Sequence, residues 1–72
     1  MSNASEVYTR LGEDAVETWT SLWKSYQDGK KRMKETRDQH EIDRCVKEIQ
    51  ALGTQLNRIE EQAGIPAQQR TS

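Results

Sequence analysis

Phenylalanine is absent from this 72-residue chain, and proline, cysteine and histidine occur once each. A lone cysteine excludes an internal disulfide, and one Cys with one His excludes a structural zinc site. No apolar run approaches the ~20 residues of a membrane span. No basic stretch followed by an apolar core marks a secretory signal. Strand signals are missing too: no alternation is sustained, and Asp28-Gly29 lacks the alternating apolar flanks of a hairpin turn. Apolar residues make up only 32% of the chain, and Leu, Ile, Val and Phe together fill 11 of its 72 positions. A value that low accompanies disorder when net charge is high. Here 11 basic residues face 12 acidic ones, which points to a folded chain with a thin core. Such a core is marginal alone. With disulfide and zinc excluded, oligomerisation is the remaining source of stability. The single thiol suits a reducing compartment, so a cytoplasmic location is expected.

What the chain does have is helical periodicity. Ile42, Cys45, Ile49, Leu52, Leu56, Ile59 and Ala63 follow one another at steps of 3, 4, 3, 4, 3 and 4. That heptad seam belongs to a helix packed lengthwise on another helix. Asp38 with Glu41 three residues on is a capping-box start. Gly64 followed by Ile65 and Pro66 is a stop. Helix 2 is therefore expected over about 39–63, or ~37 Å. Upstream, Tyr8, Ala15, Trp19, Leu22, Tyr26 and Met33 recur at matching intervals, with Gly12 and Gly29 between them. Val7, Leu11, Val16 and Trp23 widen this stripe. With Ser5 as N-cap, helix 1 is expected over about 5–36. The heptad phase jumps between 35 and 41, so the two helices are separate. Residues 1–4 are expected to be a disordered N-terminus or an expression remnant. Residues 5–65 form one domain, and 66–72 a flexible tail.

An antiparallel pairing about a turn near residues 37–38 lets Met33 face Ile42, Tyr26 face Ile49 and Trp23 face Leu52. Trp19 then faces Leu56, Val16 faces Ile59 and Gly12 faces Ala63. A rival turn at 28–29 leaves Leu52, Leu56 and Ile59 without partners. The predicted fold class is all-α: an antiparallel, coiled-coil-like two-helix hairpin that dimerises into a four-helix bundle. The dimer is needed because two helices cannot enclose Val16, Trp19, Trp23 and Tyr26 together, and a long exposed apolar strip marks an interface.

Val16, Trp19, Leu22, Trp23 and Tyr26 are accordingly the candidate partner or dimer interface, an aromatic ridge at helical spacing. Lys30, Lys31, Arg32, Lys34 and Arg37 are the candidate contact for an anion or acidic partner. Residues 24–47 carry eight positive and five negative charges, whereas 1–23 sum to −3 and 48–72 to −1. The hairpin is thus dipolar, basic at the turn and acidic at the termini. His40 lacks the second His of a zinc-protease helix motif and reads as a turn residue. Cys45 reads as a small buried thiol. Glu13-Asp14 and Glu60-Glu61 are adjacent pairs that diverge by ~100° on a helix, so they read as solvated faces. Gly12 opposite Ala63 suggests close helix approach, and Gly53 beside the seam suggests room for a bulky Trp.

No catalytic, cofactor or metal residues emerge, so no enzyme activity is expected. The expected function is a small protein–protein interaction module that occupies a partner protein, as an adaptor, chaperone or inhibitor of the kind phages and mobile elements encode. A homodimer and a protein partner are expected, with no membrane contact. A nucleic-acid-associated regulator using segment 30–37 is the alternative, which a pI near 5.8 disfavours.

Overall fold

The computed structural model describes residues 3–71. It is all-helical over these residues, with three α-helices and a short 3-10 turn: α1 (Asn3–Leu11), α2 (Glu13–Glu35), α3 (Gln39–Gln62) and η1 (Ala67–Gln69). The long axes of α2 and α3 pack on one another, and α1 packs on both. Expectations for residues 1, 2 and 72 lie outside the described residues.

The start of α3 follows its local signals. Asp38 is the N-cap, and its Oδ1 accepts from the His40 backbone N–H at 3.0 Å. The Glu41 side chain does not return to Asp38 as a capping box would. It accepts instead from the Thr36 hydroxyl at 3.1 Å, and that hydroxyl accepts from the Asp38 N–H at 3.3 Å. Three residues, Thr36 to Asp38, therefore make the connection, and α2 runs unbroken through Asp28 and Gly29. Gly29 is buried there, and a Cβ built on it would sit 3.2 Å from Ile49. Ile49 thus packs one helical turn along from Tyr26, the residue the sequence placed opposite it.

The end of α3 is a Schellman motif. The Gly64 N–H bonds to the Glu61 carbonyl and the Ile65 N–H to the Glu60 carbonyl, both at 3.0 Å. Gly64 takes φ 78°, a left-handed conformation glycine adopts without steric cost. Ile65, 3% exposed, then folds into the core.

The expected single helix over 5–36 is corrected to two helices broken at Gly12. Gly12 has φ 97°, and nothing lies within 4 Å of a Cβ built on it. Its role is backbone conformation and not the close helix approach read from the sequence. The physical reason lies upstream. A continuous helix would carry residues 5–11 past the end of α3, with no surface to bury Val7 against. The break folds α1 back, so that Asn3 reaches Glu60 and Gln69 and Val7 is fully buried. The whole domain measures 41 × 21 × 19 Å, whereas a 32-residue helix alone would reach ~48 Å. The start is corrected as well: Asn3 and Ala4 belong to α1, and Ser5 lies inside it.

The core consists of Val7, Trp19, Tyr26, Leu56, Ala63 and Ile65, flanked by half-buried Ala15, Val16, Leu22, Ile49, Leu52 and Ile59. Cys45 is a buried free thiol.

Candidate functional site

α2 offers most of the candidate surface, and the aromatic ridge does not act as one unit on it. Trp19 and Tyr26 turn inward, at 6% and 7% exposure. Val16 and Leu22 are half-buried against the core. Trp23 stays 40% exposed. One turn separates the two indoles, and their rings stack with centroids 6.1 Å apart at 18°. Stacking of this kind adds ~0.5–1.5 kcal/mol beyond burial and holds the outer ring against a fixed inner one. The Trp19 Nε1–H is buried and has no hydrogen-bond partner among the described residues, a cost of about 1–3 kcal/mol. Burial of the ring outweighs it.

Beside the stacked pair lies an open cleft of about 390 Å³. Its lining includes Trp19, Thr20, Trp23 and Lys24 from α2, Asn3 from α1 and Thr71 from the C-terminal segment. A second, shallower depression shares Thr20 and continues along α2 past Val16, Glu17 and Leu22. Apolar rings with a few polar edges are a common lining for an interaction site.

The cleft's outer wall is held by a carboxyl group. Glu60 is fully buried. It accepts from the Asn3 Nδ2–H, from the Thr71 backbone N–H at 2.9 Å and from the Thr71 hydroxyl at 3.1 Å. The Asn3 amide also donates to the Gln69 carbonyl at 2.9 Å, and Arg70 Nε donates to the Ile65 carbonyl at 2.8 Å. The reading of Glu60 as a solvated face is therefore overturned, although Glu61 beside it is exposed. Burial is tolerated because each carboxyl oxygen is matched by donors. Residues 66–71, expected to be a flexible tail, are correspondingly tied back, with η1 closed by a Gln69 N–H to Pro66 carbonyl bond of 2.9 Å.

The basic segment sits at the other end of α2. Lys30 Nζ lies 4.9 Å from the centroid of the Tyr26 ring. Arg32 pairs with Asp28 at 3.0 Å across one turn, and that hydrogen bond raises the guanidinium pKa above its ordinary value. Lys31, Lys34 and Arg37 are exposed. The structure thus separates this segment from the tryptophan cleft. His40 is exposed and engaged at the α3 cap through its backbone.

Sequence reasoning missed Asn3, Thr20, Lys24, Glu60 and Thr71. The sequence held no distinct signal for them. In the structure Gly53 and Glu60, seven residues apart on α3 beside the heptad seam, are both buried. A small residue and a carboxyl sharing that flank mark a stripe too broad for a single facing helix.

Among the described residues, no three of His, Cys, Asp and Glu come together to hold a metal ion, and no helix is long and apolar enough to cross a membrane. No protein-family model, curated protein or solved structure matches the chain.

Proposed function

We propose that this chain is a small non-enzymatic protein–protein interaction module that acts by binding and occupying a partner protein, in a reducing compartment such as the cytoplasm. Adaptor, chaperone and inhibitor are the roles of this type, including those that phages and mobile elements encode. On this reading α2 and α3 are the two arms of an antiparallel hairpin, with α1 bracing it. Two copies associate along α2, so that α2, α3 and their mates form a four-helix core.

Trp23 is the observation that carries the reading. A large aromatic ring that is 40% exposed, backed by a buried ring and flanked by a cleft, has the character of an interface anchor. Tryptophan is among the residues most enriched where binding energy concentrates. Trp19 and Tyr26 support it from within. The cationic stretch supports nucleic-acid binding less well, because Lys30 rests on Tyr26 and Arg32 pairs with Asp28.

The test compares Trp23→Ala with the parent chain. The variant is expected to keep its helicity, since Trp23 lies outside the buried core. Sedimentation equilibrium is expected to show a self-associating parent and a monomeric variant. A variant that associates as tightly as the parent would count against the reading.

A further inference from the structure

The cleft beside Trp23 keeps a set of unspent hydrogen-bond donors. Other donors in its lining already have acceptors. The Asn3 amide nitrogen serves Glu60 and Gln69, the Thr71 hydroxyl serves Glu60, and the Thr20 hydroxyl donates to the Val16 carbonyl at 2.7 Å. Three side-chain donors remain: the Trp19 Nε1–H, the Trp23 Nε1–H and the Lys24 ammonium. None of them has a hydrogen-bond or ion-pair partner among the described residues. The first is buried, and Lys24 is exposed. A buried N–H without an acceptor is rare in a folded protein, and an acceptor supplied from outside the chain is one accepted explanation. The apolar lining is the two stacked indoles and the Ala4 methyl. The cleft thus offers flat apolar walls, free donors and one cation, with no Asp or Glu among its lining residues.

We infer that this cleft is a binding site for a small aromatic carboxylate. The ring of such a molecule packs against the indoles, where aromatic contacts add to burial. Its carboxylate meets the Lys24 ammonium, and charge-assisted hydrogen bonds are the stronger kind. The Trp19 N–H is closed to solvent here, so Lys24 makes the first contact. The inner N–H joins it through a side-chain shift of the kind common on binding. A cationic ligand would also suit indole faces, but it would face Lys24 and find no carboxylate in the lining. Glu60 does not repel the anion directly. It stands behind Asn3 and Thr71, outside the lining, and its oxygens are taken up by their donors. The volume, about 390 Å³, lies at the lower end of the roughly 300–1,000 Å³ of small-molecule sites, which suits one or two rings. Every lining residue belongs to one chain, so the inference stands apart from self-association.

The probe is 2-naphthoate at neutral pH, where its carboxyl is ionised, with 2-naphthamide as the neutral molecule of the same shape. Each is titrated into dilute nitrogen-15-labelled chain while amide and indole N–H signals are followed by NMR. The Trp23→Phe chain assigns the Trp19 indole signal. The expected result is saturable shifts at both indole N–H groups and at the Asn3 side-chain amide and Thr71 N–H. 2-Naphthamide is expected to bind roughly three- to fivefold more weakly, the size of an exposed ion pair. Lys24→Gln should weaken 2-naphthoate by the same factor and leave 2-naphthamide unchanged. Trp23→Ala should abolish saturable binding of both, with far-UV circular dichroism showing that the variant is folded. Shifts that do not saturate, or shifts centred on residues 30–37, would overturn the site. Equal affinity for acid and amide, or a Lys24→Gln chain that binds 2-naphthoate as tightly as the parent, would overturn the carboxylate assignment.

Discussion

The two ends of this helical domain are held in different ways. At the turn, the side-chain bonds among the described residues are local: Thr36, Asp38, His40 and Glu41 satisfy one another within five residues. At the other end, Glu60 gathers Asn3 from 57 residues away and Thr71 from 11 residues away. The turn end is exposed and basic, and the end with the chain termini is closed over a core of Val7, Leu56, Ala63 and Ile65. The comparison teaches that a chain with a thin core can concentrate its burial at one end. The other end then needs only caps to hold its shape and leaves its charges in water.

Substitutions can break that contrast. The largest effect is expected at Trp19, whose ring belongs to the closed part of the core. Trp19→Ala should cost about 3–5 kcal/mol, enough to unfold a domain of this size. Far-UV circular dichroism at 25 °C would show it as lost helicity. Glu60→Ala comes next. It leaves the Asn3 amide and the Thr71 donors without their acceptor and should cost roughly 2–3 kcal/mol, read as a lower urea midpoint with unchanged slope. Glu60→Gln, which keeps the shape and one acceptor oxygen, should fall between that variant and the parent.

Gly12→Ala should cost about 1–3 kcal/mol, since φ 97° with ψ −178° is a region essentially restricted to glycine. The penalty comes from the positive φ alone, since open space surrounds the position. Thermal unfolding would check it, and Gly12→Asn should cost about as much, because Asn tolerates the left-handed helical region and Gly12, with ψ −178°, lies outside it in a region essentially restricted to glycine. The smallest effect belongs to the turn end. Asp38→Ala removes the bond to the His40 N–H and should cost ~1 kcal/mol, a fall in Tm of ~4–8 °C. A turn-end loss exceeding that of Glu60→Ala would erase the difference between the two ends.

The same contrast explains what was legible in the sequence. Asp38, Gly64 and the heptad from Ile42 to Ala63 act within one or two turns of themselves, so their spacing reveals them. The all-helical class and the bounds of α3 follow from them. The break at Gly12 was not legible, because a glycine inside an apolar stripe also fits a straight helix at a modest cost. Only the lack of a surface beyond the end of α3 decides the matter, and that is a tertiary fact. Glu60 was hidden for a related reason. A carboxyl next to Glu61 looks solvated until α1 and the C-terminal segment fold over it. The ridge was read correctly as a group of helical neighbours. Its division into inward Trp19 and Tyr26 and outward Trp23 depends on where α1 lies.

The division between the two tryptophans, and the self-association built on it, can be measured together. Trp23→Phe leaves Trp19 as the sole indole, and Trp19→Phe leaves Trp23. Acrylamide quenching of each chain would be followed from dilute to concentrated solution. Trp19 is expected to be shielded throughout, and Trp23 to be accessible when dilute and shielded as copies associate. A Trp23 equally open to quencher at every concentration, or a Trp19 as accessible as Trp23, would contradict an interface built on the outer face of α2.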